Sequence, residues 1–180
     1  SSNFIPRLDH CMAKASEVSE DRMKILRELK LADQITAARD SISLLIMEFT
    51  ADDQSVRTVA LDLFAQQLEQ DGIHFNIPAP DMVISTFNRP ADALGQVRAF
   101  GAQQPDDCEM SVRGALYGGI RINEEAADLN RFLAHHLRVA QKLSGRAPAA
   151  SILVNDSACQ SLCSKEQVKI FDQSALIHVY

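Results

Sequence analysis

The chain has 180 residues, 46% of them hydrophobic and 23% charged, with a formal net charge of −6. That length suits one core rather than two, and the composition sets aside disordered, collagen-like and fibrous classes. The acidic balance, with no dense run of Lys or Arg, argues against nucleic-acid binding, and the longest apolar run, Ile42 to Phe49, falls far short of the about 20 residues that span a bilayer.

In chain order, Ser19-Glu-Asp21 offers a capping residue followed by acids, and Met23, Leu26 and Leu29 recur at helical spacing, which predicts a helix over 19–30. Asp33 could cap a second helix in which Ile35, Ala38, Ile42, Leu45 and Phe49 continue the stripe. The run Ile42 to Phe49 also reads as a buried strand; helix is preferred because the stripe starts before the apolar run. Thr50-Ala-Asp-Asp53 caps the clearest helix, with Val56, Val59, Ala60, Leu63, Phe64 and Leu68 on one face and Asp71-Gly72 as its stop.

After Gly72 the texture changes. Ile73 to Ile77 and Asp81 to Phe87 read as short strands, and Pro90 fits the first turn of a helix over 91–100. Residues Glu109 to Ile122 suggest either one bent strand or a hairpin turning at Gly118-Gly119, glycines that serve a tight turn or a bulge. Asn123-Glu-Glu125 opens a helix over 124–143 whose stripe includes Leu129, Leu133, His136, Leu137 and Ala140. Ser151 to Asn155 is a buried strand, Asp156-Ser157 caps a short helix from Ala158 to about Val168, and Ala175 to Tyr180 is a terminal strand. The order points to an α+β fold, with a helical N-terminal part, to about residue 72, packed on a small mixed sheet with helices in the C-terminal part. One globular domain over 1–180 is expected, with a helical subdomain over 1–72 as the alternative division.

The four cysteines, Cys11, Cys108, Cys159 and Cys163, lack the spacing of a secreted disulfide framework and read as free thiols of a cytoplasmic protein. The opening residues, Ser1 to Pro6, lack the basic and apolar regions of a secretory signal, although a leader removed by processing would leave no trace. No pair of His and Cys has a strong zinc spacing, and no standard phosphate loop is present, so neither a metal nor a cofactor is expected.

The chemically suggestive residue is Cys159, placed by a capped helix where free N–H groups and the helix dipole favour thiolate. A thiol-dependent hydrolase or transferase would use Cys159 as nucleophile, with His178 or His136 as base. The weightier reading makes Cys159 and Cys163 part of the short helix's apolar face, and His136 a core histidine bonded to a backbone carbonyl. Without a catalytic signature, the favoured function is a non-catalytic protein-interaction domain: an adaptor, regulatory or chaperone-like subunit acting through apolar helix faces. Its partner would be another protein, a second copy or both, with Met12, Met23 and Met47 adding adaptable apolar surface. A third reading is a small-molecule sensor with a pocket between the sheet and the 124–143 helix.

Overall fold

The computed structural model describes residues 20–38, 40–105, 107–122, 128–162, 169–171 and 174–178. The elements run α1 (20–29), α2 (Leu31–Ala37), β1 (Ile42–Ala51), α3 (Gln54–Gln70), β2 (Phe75–Ala79), β3 (Met82–Phe87), α4 (Pro90–Gln103), β4 (Met110–Ile120), α5 (Leu129–Gly145), β5 (Ser151–Val154), α6 (Asp156–Ser161), β6 (Lys169–Phe171) and β7 (Ser174–His178). The fold is α+β. One seven-stranded sheet has the order β2-β3-β1-β4-β5-β7-β6. Its pairings are antiparallel except β4 with β5, which are parallel and joined through α5.

Residues Ile42 to Phe49 form a strand, not the continuation of the helix begun at Asp33, and that strand lies between β3 and β4. The helix preference fails for a physical reason. Six consecutive residues, Ile42 to Met47, are buried because helices cover both faces of the sheet. A run buried on both sides carries no period that separates strand from helix. The pleat sends Leu45, Met47 and Phe49 into the core under α3, α4 and α6, and Ile42, Leu44 and Ile46 into the core under α1, α2 and α5. Met47 is therefore fully buried and no partner surface, Met23 is partly buried against the second core, and Met12 lies outside the described residues.

The α3 helix forms where capping predicts, with Asp53 accepting from Ser55 N–H at 2.9 Å, but its buried face is rotated. It buries Ala60, Leu61, Phe64, Ala65 and Leu68, leaving Val59 and Leu63 57% and 48% exposed.

Residues 110–120 form one strand, settling the choice against a hairpin. Its register against β1 shifts at Gly118-Gly119, a bulge with Gly119 at φ 87°. The bulge sits against the start of α6: a Cβ on Gly119 would lie 2.2 Å from Ser157 Oγ. The cap of α6 is Asn155 rather than Asp156-Ser157. Its Oδ1 accepts from Ala158 N–H at 3.1 Å and Gly118 N–H at 2.8 Å, while its Nδ2 donates to Gly118 C=O at 3.0 Å. One side chain thus ends a strand, starts a helix and joins both to β4. The helix expected from Asn123 starts among the described residues at Leu129, capped by Asp128, and residues 123–127 and 163–168 lie outside the described set.

Candidate active site

The sheet end where β1 finishes, the β2–β3 turn folds back and β4 begins gathers charge. Glu48 is the one charged residue of a mostly apolar central strand, on the same sheet face as Leu44 and Ile46, with Met82 and Arg113 directly opposite it on β3 and β4. Arg113 grips it at two points: Nε donates to Oε2 at 3.1 Å and Nη2 to Oε1 at 3.2 Å. The side chains remain 20% (Glu48) and 36% (Arg113) exposed, so the pair is reachable from solvent. Asp81, in the β2–β3 turn, is fixed beside it through its carbonyl, which accepts from Phe49 N–H at 2.8 Å. Asp52 and Asp53 follow β1, and Asp53 is committed to its cap: the Ser55 hydroxyl and N–H hold its carboxyl below the usual range. Two carboxylates and a guanidinium therefore share one end of the central strands. They can offer hard oxygen ligands to a cation and a planar fork to a phosphate.

A cleft of about 990 Å3 opens at the opposite end of the sheet, between the α2–β1 connection, the end of α3 and the start of α4. Polar side chains of its wall bind one another: Gln96 Nε2 donates to Asp71 at 2.6 Å and Thr86 Oγ1 to Gln34 Oε1 at 3.0 Å. Asp40, Asp71, Arg89 and Asp92 are among its lining residues. This cleft lies away from the pocket expected between the sheet and α5.

Of the thiol constellation, Cys159 and His136 are not brought together. Cys159 is half-buried on α6 and packs against the core under α3, α4 and α6, and its N–H already donates to Asn155 C=O at 2.9 Å. His136, half-buried on α5, bonds Tyr117, which packs against the core on the other face of the sheet. The sheet separates them. His178 lies on β7 opposite Ser151, but its side chain is outside the described set, as are Cys11 and Cys163. Among the described residues no group of three or more His, Cys, Asp or Glu could hold a metal ion.

His136 bonds a side chain rather than a backbone carbonyl: its Nδ1 lies 2.6 Å from the Tyr117 hydroxyl, and Phe132 stands edge-on at 4.6 Å between ring centroids. Burial, aided by neighbouring His135, holds its pKa below the ordinary 6.5, while burial raises that of Tyr117. The phenol oxygen and Nδ1 share one hydrogen bond, and burial favours the neutral form of both rings. The sign follows. As pH falls through 6.5 the unfolded chain takes up the proton before the folded one does, so stability is lost on acidification over the window between the folded pKa and 6.5. Urea midpoints at pH 7.5 and 5.5 should show a loss in the wild type that His136→Gln reduces; equal losses in both would show that His136 is not the group responsible.

No protein-family model matches the chain, and no curated protein sequence matches it. Solved structures do. The guanylyl cyclase domain of the RhoGC fusion protein from the aquatic fungus Blastocladiella emersonii is 10% identical with a TM-score of 0.55, covering 78% of this chain and 96% of that one. Adenylate cyclases from Trypanosoma brucei in their monomeric state give 9% identity and a TM-score of 0.55 over 78% of this chain and 90% of theirs. The adenylyl cyclase CyaB from P. aeruginosa gives 11%, 0.51, 78% and 94%. At such identity the likeness concerns the fold, which is that of nucleotide-cyclase domains. It overturns the reading of the chain as a non-catalytic adaptor, regulatory or chaperone-like domain: this is a fold of enzyme domains, matched over nearly their whole length. Local motifs missed the site because Glu48, Asp81 and Arg113 are far apart in sequence. The one available signal was a lone acid inside an apolar run.

Among the described residues no helix is long and apolar enough to cross a membrane.

Proposed function

We propose that this chain is a nucleotide-cyclase-type domain that takes a purine nucleoside triphosphate, as its magnesium complex, at the Glu48–Asp81–Arg113 end of the sheet. The observation that carries it is the match to cyclase domains over 90–96% of their length, two of the similar domains having been solved with ATPalphaS and with GTP. In the reaction the ribose 3′ oxygen forms a bond to the α-phosphorus, the bond from that phosphorus to the β-phosphate bridging oxygen breaks, pyrophosphate leaves, and the hydroxyl proton passes to solvent. Such a displacement needs placement and compensation of the triphosphate's charge more than covalent help.

The donor set fits that need. Magnesium is held by one or two carboxylates together with substrate phosphates, and Glu48, with Asp81 in the turn tied to Phe49 N–H, supplies the carboxylates proposed for it. The ion would supply neutralisation of the phosphates. Arg113 offers the phosphates two parallel donors in the geometry it now gives Glu48. One globular domain, cytoplasmic placement beside the cell's nucleoside triphosphates and work as a homo-oligomer belong to the same proposal; a related domain has been solved in a dimeric form.

Purified chain incubated with GTP or ATP and Mg2+ or Mn2+ is expected to release the cyclic nucleotide, and Asp81→Asn to lower the rate roughly 100-fold, the scale for losing one charge-compensating group. Absence of both cyclic product and nucleotide binding would remove this reading.

A further inference from the structure

We propose that Glu48 is an internal competitor for the phosphate-binding face of Arg113, so that the ion pair is a gate which a metal-bound triphosphate opens and a bare triphosphate does not. The inference rests on the cyclase-type reading and adds how that site admits its substrate. The Nε–Nη2 edge of the guanidinium, the one that would meet a phosphate with two parallel donors, is turned to Glu48, at 3.1 and 3.2 Å. Carboxylate and phosphate present the same spacing of acceptor oxygens to an arginine fork, so only one of them occupies it at a time.

The pair cannot open by moving its strands apart. Glu48 and Arg113 face each other across the β1–β4 ladder, and Gly114, next to Arg113, brings the two backbones so close that an added Cβ would sit 1.8 Å from Ile46 C=O. The exchange is therefore a rotation of side chains, at a position open enough for it.

A bare triphosphate that takes Arg113 leaves the released Glu48 carboxylate beside the Asp81 turn and a polyanion, and like charges oppose the exchange. A magnesium-bound triphosphate brings a counter-charge for each partner at once, phosphate for Arg113 and cation for Glu48. Binding of triphosphate and of magnesium should be positively coupled through this pair, and by linkage the coupling is reciprocal.

The test is calorimetric titration of the full chain with GTP and with inorganic tripolyphosphate, in EDTA and in excess Mg2+, beside Glu48→Gln, Arg113→Gln, the double variant and Arg89→Gln. Wild type is expected to bind at least about tenfold more tightly with Mg2+ than without, a coupling on the scale typical between linked ligands. Glu48→Gln frees the fork, so it should bind both probes about tenfold more tightly than wild type in EDTA and lose most of the magnesium gain. Arg113→Gln should bind weakly under both conditions, the double variant should resemble it, and Arg89→Gln, across the sheet, should match wild type. Each variant's unfolding midpoint is measured alongside, and the double variant, which leaves no charge unpaired, separates loss of the fork from loss of fold. If wild type binds nucleotide but Glu48→Gln is no tighter in EDTA, the gate is wrong while the cyclase-type reading stands. If wild type binds neither probe under either condition, that reading falls and the gate with it.

Discussion

Gly114→Ala should cost the fold at least about 3 kcal/mol, at or beyond the upper end of ordinary overpacking. The reason is contact rather than conformation. A Cβ at this position would meet Ile46 O at 1.8 Å, Ile46 C at 2.9 Å and Met47 Cα at 3.3 Å, all of them backbone. Gly114 pairs with Met47 of β1 and with Ile152 of β5, so neither neighbour can retreat without breaking ladder hydrogen bonds at the middle of the sheet. Against a total stability of about 5–15 kcal/mol for a domain, a loss of this size shifts a urea midpoint plainly or abolishes folding. Gly95→Ala is the internal control. That residue is exposed on α4 with nothing within 4 Å of an added Cβ, so the substitution should stabilise by about 0.5–1 kcal/mol through helix propensity. A Gly114→Ala midpoint indistinguishable from wild type would mean that β1 and β4 do not approach as described.

What the sequence reveals about this fold follows the range of the interactions involved. α3 is legible because Asp53, the stripe through Phe64 and Leu68, and the Asp71-Gly72 stop all lie within one helix. The strands at 75–79 and 82–87 are legible because Pro and Asp mark the turn between them. Ile42 to Ala51 is not, since burial on both faces erases its period. The site is least legible of all: Glu48 and Arg113 are 65 positions apart, and only the antiparallel register sets them side by side. The thiol reading shows the same boundary. A helix start at residues 155–159 is visible in local residues, whereas the placement of Cys159 and His136 on opposite sheet faces depends on which way each connection crosses the sheet, which no local pattern records.

The second large effect is expected at Phe64. The rings of Phe49, Phe64 and Phe100 come from β1, α3 and α4, are all fully buried, and meet at centroid separations of 6.0, 5.7 and 5.4 Å, two of the three contacts edge-on. Phe64→Ala removes the member that ties α3 to both other elements and should cost about 3–5 kcal/mol, transfer and cavity contributions together. Because Phe100 borders the same space, Phe100→Ala should be of similar size. The double variant should fall short of the sum by at least about 1 kcal/mol, since the second truncation enlarges a cavity whose contacts are already lost. The cluster also bears on the site: Phe49 follows Glu48, faces the opposite side of the sheet and donates the N–H that fixes the Asp81 turn. Loosening the rings on one face should therefore weaken magnesium-dependent nucleotide binding on the other, without touching a residue that meets the ligand. Additive truncations, or Phe64→Ala binding nucleotide like wild type in a still-folded protein, would show that the aromatic core and the charged edge are independent.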